Sequence, residues 1–122
     1  MDMNVIDAAD GLTHVVLDGR FDIAGAQAVD VRFQELAGAA QALIVDLSKV
    51  SFIASLGVRT LMVAAKTIIH RGADMAVCGA DENVTKVLRV TGFSGVVGLY
   101  PDFPSAAAVL IERRAEFEHR KE

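Results

Sequence analysis

The fold is decided by the stretch Ala42-Leu-Ile-Val-Asp-Leu-Ser-Lys-Val-Ser-Phe-Ile-Ala-Ser-Leu-Gly-Val-Arg59. Its first four residues are apolar and too few for a stable helix, so they predict a β-strand buried on both faces. Residues 51–55 predict a short connection, and helical periodicity begins around Gly57. The stretch therefore predicts a strand, a connection and a helix in direct succession, with Ser55 at the mouth of the helix.

Ser55 has two interpretations at this position. The first turn of a helix presents unpaired backbone N–H groups and the positive end of the helix dipole, so a phosphate on the Ser55 hydroxyl would be well placed. Serine is also a favoured N-cap residue, so an unmodified Ser55 would serve as the cap. The local chemistry by itself favours the cap.

The composition bounds the class of protein. The 122 residues suit one domain, predicted to span 1–122, and 52 % of them are hydrophobic. The net charge of −4 without a basic stripe argues against a nucleic-acid partner. The sequence predicts no signal peptide and contains no apolar run of membrane-spanning length, so we expect a soluble cytoplasmic domain without a membrane partner.

Strand and helix signals alternate along the rest of the chain. Asp10-Gly11 lies between two β-prone runs and predicts a hairpin with a type I′ turn. The pattern as a whole indicates an α/β protein with a mixed sheet, an N-terminal hairpin and a central strand over residues 42–46. The remaining predicted elements are helix 26–37 stopped by Gly38, helix 55–71, strand 74–78, helix 83–91, strand 97–100, a last helix from Ser105, and a solvated charged tail at about 112–122.

The helix that follows Ser55 has two different faces. At 100° per residue, one face is apolar and should pack on the sheet; it carries Val58, Leu61, Ala64, Ala65, Ile68 and Ile69. The opposite face mixes aliphatic and basic side chains; it carries Ser55, Leu56, Arg59, Val63, Lys66 and His70. This second face is a candidate docking surface, with an ordinary solvated helix face as the alternative.

Signals for catalysis are weak in this sequence. The window Ile53-Ala-Ser-Leu-Gly57 resembles a nucleophile elbow but lacks the first glycine that the strained turn needs. The three histidines, His14, His70 and His119, are not placed to reach Ser55. Cys78 lies in an apolar strand and should be a small buried hydrophobe. We therefore expect no enzymatic activity, no cofactor and no metal site.

Several motifs together resemble the STAS domain, the fold of bacterial anti-sigma factor antagonists. Their order and spacing carry the resemblance over nearly the whole chain. The motifs are Gly19-Arg-Phe-Asp22, Leu43-Ile-Val-Asp-Leu47, Val50-Ser-Phe-Ile-Ala-Ser-Leu-Gly57, Asp74-Met-Ala-Val-Cys-Gly79 and Leu88-Arg-Val-Thr-Gly-Phe93. The resemblance implies a mixed sheet of four or five strands, with helices mainly on one side.

The resemblance also implies a function. Antagonists of this family bind a serine-kinase anti-sigma factor, an ATPase of histidine-kinase-like fold, and so release the sigma factor. Phosphorylation of the serine that Ser55 matches breaks the complex, and a PP2C-type phosphatase restores it. The residues that this implies for partner binding are Asp22, Ala54, Ser55, Leu56, Gly57, Arg59, Val63 and Lys66.

Three points leave alternatives open. Ala54 stands where the family commonly has aspartate, which removes an acidic group beside the phosphorylation site. Asp22 matches a family aspartate close to the serine, but it is equally suited to cap a turn or a helix. STAS proteins also act as unphosphorylated accessory subunits of lipid transport systems, in which Ser55 would be a plain cap contacting an ATPase.

Overall fold

A single five-stranded sheet forms the centre of the computed structural model, which describes residues 1–121, with side chains as far as Glu116. The strands lie in the order β1-β2-β3-β4-β5, with β1 antiparallel to β2 and all other neighbours parallel. Their bounds are Asp2–Asp7 (β1), Leu12–Phe21 (β2), Ala42–Ile53 (β3), Asp74–Cys78 (β4) and Gly98–Tyr100 (β5).

Four helices cover the two faces of the sheet unequally. They are Ile23–Ala39 (α1), Ser55–His70 (α2), Glu82–Val90 (α3) and Phe103–Lys121 (α4). Buried residues of α1, α2 and α3 share one large core with the sheet, whereas α4 packs on the other face around Ala106 and Leu110. The predicted mixed α/β sheet with helices mainly on one side is confirmed. The predicted charged tail continues α4, but its side chains after Glu116 and the whole of Glu122 lie outside the described residues.

The strand β3 is central, as predicted, and Ile44 is fully buried. The predicted connection over 51–55 is wrong, because β3 continues to Ile53. Its second half pairs with β2 as far as Phe21 opposite Ile53, whereas pairing with β4 ends at Asp46 opposite Cys78. Only one residue therefore separates β3 from α2.

The bounds of the first and last helices and the turn at Asp10 and Gly11 can be compared with their predictions. α1 begins three residues earlier than predicted and continues past Gly38, and α4 begins at Phe103 rather than at Ser105. Asp10 and Gly11 do adopt positive φ values of 65° and 73°, as the turn prediction required. Leu12 N also donates a hydrogen bond to Ala9 O across these two residues, which is the pattern of a type I′ turn, so the predicted turn is confirmed. A further hydrogen bond of 3.0 Å, from Ala8 N to Leu12 O, closes the longer connection that contains the turn.

A polar pair lies on the α4 face of the sheet. His14 Nε2 is 2.9 Å from Asp46 Oδ2, and the His14 ring stacks on Phe103 of α4. Burial pushes the pKa of Asp46 upward, but hydrogen bonds from Ser48 and His14 outweigh burial and lower the pKa overall. Cys78, on the same face, is buried as predicted, and this burial raises the pKa of its thiol to about 12. His14 is therefore engaged with Asp46, on the sheet face opposite α2.

Candidate docking surface around Ser55

The start of α2 places Ser55 at the first helical position. Ala54 is the N-cap residue, with φ −104° and ψ 172°, and no side chain caps the helix. The interpretation of Ser55 as the N-cap is therefore wrong, because an N-cap residue has non-helical dihedrals and Ser55 is already in the helix. Ser55 is exposed at the end of the helix where the dipole is positive.

A close approach between β2 and α2 fixes this position. Ala54 N donates a hydrogen bond of 2.9 Å to Phe21 O. A Cβ placed on Gly57 would lie 2.6 Å from the same Phe21 O, so only glycine lets the first turn of α2 rest here. Gly57 is buried, which makes it a packing residue under the surface rather than a part of the surface itself.

The same contact brings Asp22 beside α2. Phe21 and Ala54 are joined by the hydrogen bond. Asp22 directly follows Phe21, and Ser55 directly follows Ala54. Asp22 is the N-cap of α1, and its Oδ1 accepts a hydrogen bond of 2.8 Å from Gly25 N. This hydrogen bond, with a smaller contribution from Arg20, lowers the pKa of Asp22. The capping interpretation of Asp22 is thus confirmed.

Removal of this cap gives a testable change in stability. We expect Asp22→Ala to lower the urea midpoint at neutral pH, whereas Asp22→Asn should largely preserve it because asparagine also caps helices well. The pKa of Asp22 is lowered by folding from 3.8, so its ionic contribution is present above that pH and is lost as the pH falls through the folded value. The gap between wild type and Asp22→Ala should therefore narrow below about pH 4. A gap that stays constant down to pH 2 would contradict the assignment.

The exposed face of α2 matches the predicted docking face. Ser55, Arg59 and Lys66 are exposed, Val63 is 45 % exposed, and Leu56 is half-buried against the core. His70 is exposed at the far end of α2. The opposite face packs on the sheet as predicted, except that Ile69 is 51 % exposed, so its predicted burial is wrong.

Three open hollows surround this face. A hollow of about 390 Å³ lies between α1 and α2, with Ala26, Gln27, Asp30, Gln34, Leu56, Arg59, Thr60 and Val63 around it. A second, of about 420 Å³, is lined by Ser55, Val58, Arg59, Met62, Val63, Lys66 and Thr91. A third, of about 490 Å³, is lined by Ile23, Ala54, Ser55, Leu56 and Arg59. We call the exposed and half-buried residues around these three hollows the α2 surface.

The α2 surface unites most of the residues singled out in the sequence. Ala54, Ser55, Leu56, Arg59, Val63 and Lys66 all line at least one hollow. Sequence reasoning missed the contribution of α1, above all Ile23, which is 62 % exposed. The sequence signal for Ile23 was its position directly after a capping aspartate, which marks it as the first residue of a helix.

Among residues 1–116, whose side chains are described, no group of three or more His, Cys, Asp or Glu side chains could hold a metal ion. Within residues 1–121, no helix combines the length and apolarity needed to cross a membrane.

The family model of the STAS domain matches residues 4–115. This chain belongs to the STAS domain family. The sequence resemblance is therefore confirmed at the level of family and fold. A search of curated proteins found no match.

Solved structures share this fold. The crystal structure of an anti-sigma factor antagonist from Mycobacterium paratuberculosis has a TM-score of 0.81 and 24 % identity, over 89 % of this chain and 92 % of that one. The Bacillus cell fate determinant SpoIIAA, in its phosphorylated form, has a TM-score of 0.68 and 14 % identity, over 88 % and 99 %. The STAS domain of a SulP transporter from Vibrio cholerae has a TM-score of 0.66 and 27 % identity, over 93 % and 88 %.

Proposed function

We propose that this chain is an anti-sigma factor antagonist that acts by partner switching in the cytoplasm. Its unmodified form binds a serine-kinase anti-sigma factor of histidine-kinase-like fold through the α2 surface, and a PP2C-type phosphatase reverses its phosphorylation. The observation that carries the proposal is an exposed serine at the first position of α2, within a surface of aliphatic and basic side chains.

Phosphorylation of Ser55 suits this geometry. The γ-phosphoryl group of ATP would move to Ser55 Oγ, ADP would leave, and the hydroxyl proton would pass to a base of the kinase. The product adds about −1.5 to −2 charges at neutral pH and lies where helix N–H groups stabilise an anion. The free domain therefore stays folded, whereas a partner that has buried an uncharged Ser55 must desolvate or repel the new charge.

Ala54 changes how the kinase would recognise the site. An aspartate at the N-cap would both accept N–H bonds from α2 and add a negative charge beside Ser55, but Ala54 does neither. An acidic group is present on the neighbouring segment instead: Asp22 directly follows Phe21, whose carbonyl accepts the hydrogen bond from Ala54 N. The kinase would thus meet an α2 surface that is apolar and basic, bordered by the acidic Asp22 between β2 and α1.

Val63 provides the direct test of the docking surface. We expect Val63→Asp to weaken binding to the kinase anti-sigma factor about tenfold or more, because a charge would occupy a half-exposed aliphatic contact. Stability should change by less than about 0.5 kcal/mol, as for other surface substitutions. Leu56→Asp should weaken binding too, with a larger loss of stability because Leu56 packs partly against the core.

The matched control is Val31→Asp on α1. Val31 is 68 % exposed and lies outside the three hollows, so the same substitution there should leave binding unchanged. Titration calorimetry and urea unfolding of the three variants separate the effects. Equal binding by wild type and Val63→Asp would argue against the α2 surface as the docking site.

A transport role is the second candidate function. It is favoured by the 27 % identity with the STAS domain of the Vibrio cholerae SulP transporter. As a separate accessory subunit, the chain would contact an ATPase of a lipid transport system with Ser55 unmodified. Incubation with the kinase and ATP, followed by mass spectrometry, discriminates the two: phosphate on Ser55 supports partner switching, and its absence supports the transport role.

A further inference from the structure

Arg59 occupies the centre of the α2 surface. It is the residue shared by all three hollows, and its side chain is exposed. The ion pairs found among the described residues join His14 to Asp46, Arg20 to Asp22 and Arg113 to Asp74, and none uses Arg59. An arginine in this position offers a planar set of N–H donors that fits carboxylates and phosphates in a bidentate manner.

Ser55 lies within reach of this guanidinium. The two residues are four apart in α2, a spacing that places side chains next to each other on one helix face. They also line the second and third hollows together. A phosphate on Ser55 would therefore meet both the N-terminal N–H groups of α2 and the side chain of Arg59.

The charges around Arg59 favour an acidic occupant of the surface. Lys66 adds a second exposed cation along the second hollow. Asp30 shares the first hollow with Arg59 and accepts a hydrogen bond of 3.3 Å from the neutral Gln34, whereas Asp22 is paired with Arg20. The ridge of α2 thus presents positive charge between apolar contacts, which complements a carboxylate on a protein partner.

We propose that Arg59 is a shared binding group, for which a carboxylate of the partner and the phosphate on Ser55 compete. The inference rests on the proposed function and adds its chemistry: the kinase contributes an acidic side chain to Arg59 in the complex. Phosphorylation then acts twice. It places negative charge in the interface, and it holds the guanidinium against α2 so that the partner's carboxylate loses its counter-charge.

The first test needs no partner. The chain is produced with phosphoserine at position 55, and the second pKa of the phosphate is followed by phosphorus NMR. The Arg59→Gln variant should titrate with a pKa roughly 0.2 to 0.7 higher than the chain with Arg59, as expected for the loss of a surface ion pair. Arg32→Gln on α1, an exposed arginine outside the hollows, is the matched control and should not move the titration. Identical titrations for Arg59→Gln and Arg32→Gln would overturn the phosphate half of the inference.

The second test is a double-mutant cycle with the kinase anti-sigma factor that the proposed function requires. Arg59→Gln should weaken binding of the unmodified chain about tenfold or more, and Arg32→Gln should not. Phosphoserine at position 55 should weaken binding by a larger factor in the Arg59 chain than in Arg59→Gln, because the two changes act on one group.

The outcomes of the cycle separate the two proposals. If the losses of affinity caused by phosphoserine at position 55 and by Arg59→Gln simply multiply, the proposed competition for Arg59 is overturned and partner switching is left intact. The same holds if the Arg59→Gln variant binds as tightly as wild type. A wild-type chain that binds no such kinase overturns the proposed function and the carboxylate half of the inference with it.

Discussion

Aspartate at position 55 is expected to weaken binding to the kinase anti-sigma factor about 10- to 100-fold, whereas Ser55→Ala should bind at least as well as wild type and resist phosphorylation. The reason is local. Ser55 is exposed at the first position of α2, so aspartate there is favourable for the helix dipole and should not unfold the domain. In the complex, however, the same charge is desolvated or meets an acidic group of the partner.

The control for this prediction places the same charge on the opposite side of the sheet. Ala108 is exposed on α4, so Ala108→Asp should leave binding unchanged. Calorimetric titration with the kinase gives the affinities, and thermal unfolding shows whether each variant remains folded. If Ser55→Asp binds as tightly as Ala108→Asp, Ser55 is not the switch.

The sequence predicted the order of elements correctly but shortened β3. Residues 42–45 form a continuous apolar run because they pair on both sides and are covered on both faces. After Asp46 the strand keeps only β2 as a neighbour, and Lys49 and Ser51 are exposed. This mixed pattern resembles a loop in the sequence, although its backbone hydrogen bonds are those of a strand.

That shortening also explains the error at Ser55. With a connection assigned to 51–55, Ser55 becomes the last residue before the helix and therefore the natural cap. Once β3 reaches Ile53, Ala54 is the only connecting residue and takes the N-cap position. The exposed helix face could be predicted from periodicity, which depends on the helix alone. The hollow between α1 and α2 could not, because it depends on how closely two helices pack.

Glycine at position 57 is the residue on which the geometry of the α2 surface depends most strongly. We expect Gly57→Ala to destabilise the domain by about 1–3 kcal/mol, a typical cost of overpacking a core that cannot expand. The new Cβ would lie 2.6 Å from Phe21 O and 2.9 Å from Phe21 Cγ. Both atoms belong to Phe21, which is fully buried and therefore held in place by its neighbours. Relief requires α2 to move away from β2, which would also shift Ser55 relative to Asp22 and lower partner affinity.

A second helical glycine provides the matched control for this change. Gly38 lies in α1, and a Cβ placed there has no atom within 4 Å. Gly38→Ala should therefore stabilise the domain by up to about 1 kcal/mol, because alanine loses less backbone entropy in a helix. Urea unfolding of both variants measures opposite shifts of the midpoint if the contact with Phe21 decides the outcome. A Gly57→Ala midpoint equal to or above that of Gly38→Ala would show that α2 can begin without glycine, and that the Phe21 contact does not fix the position of Ser55.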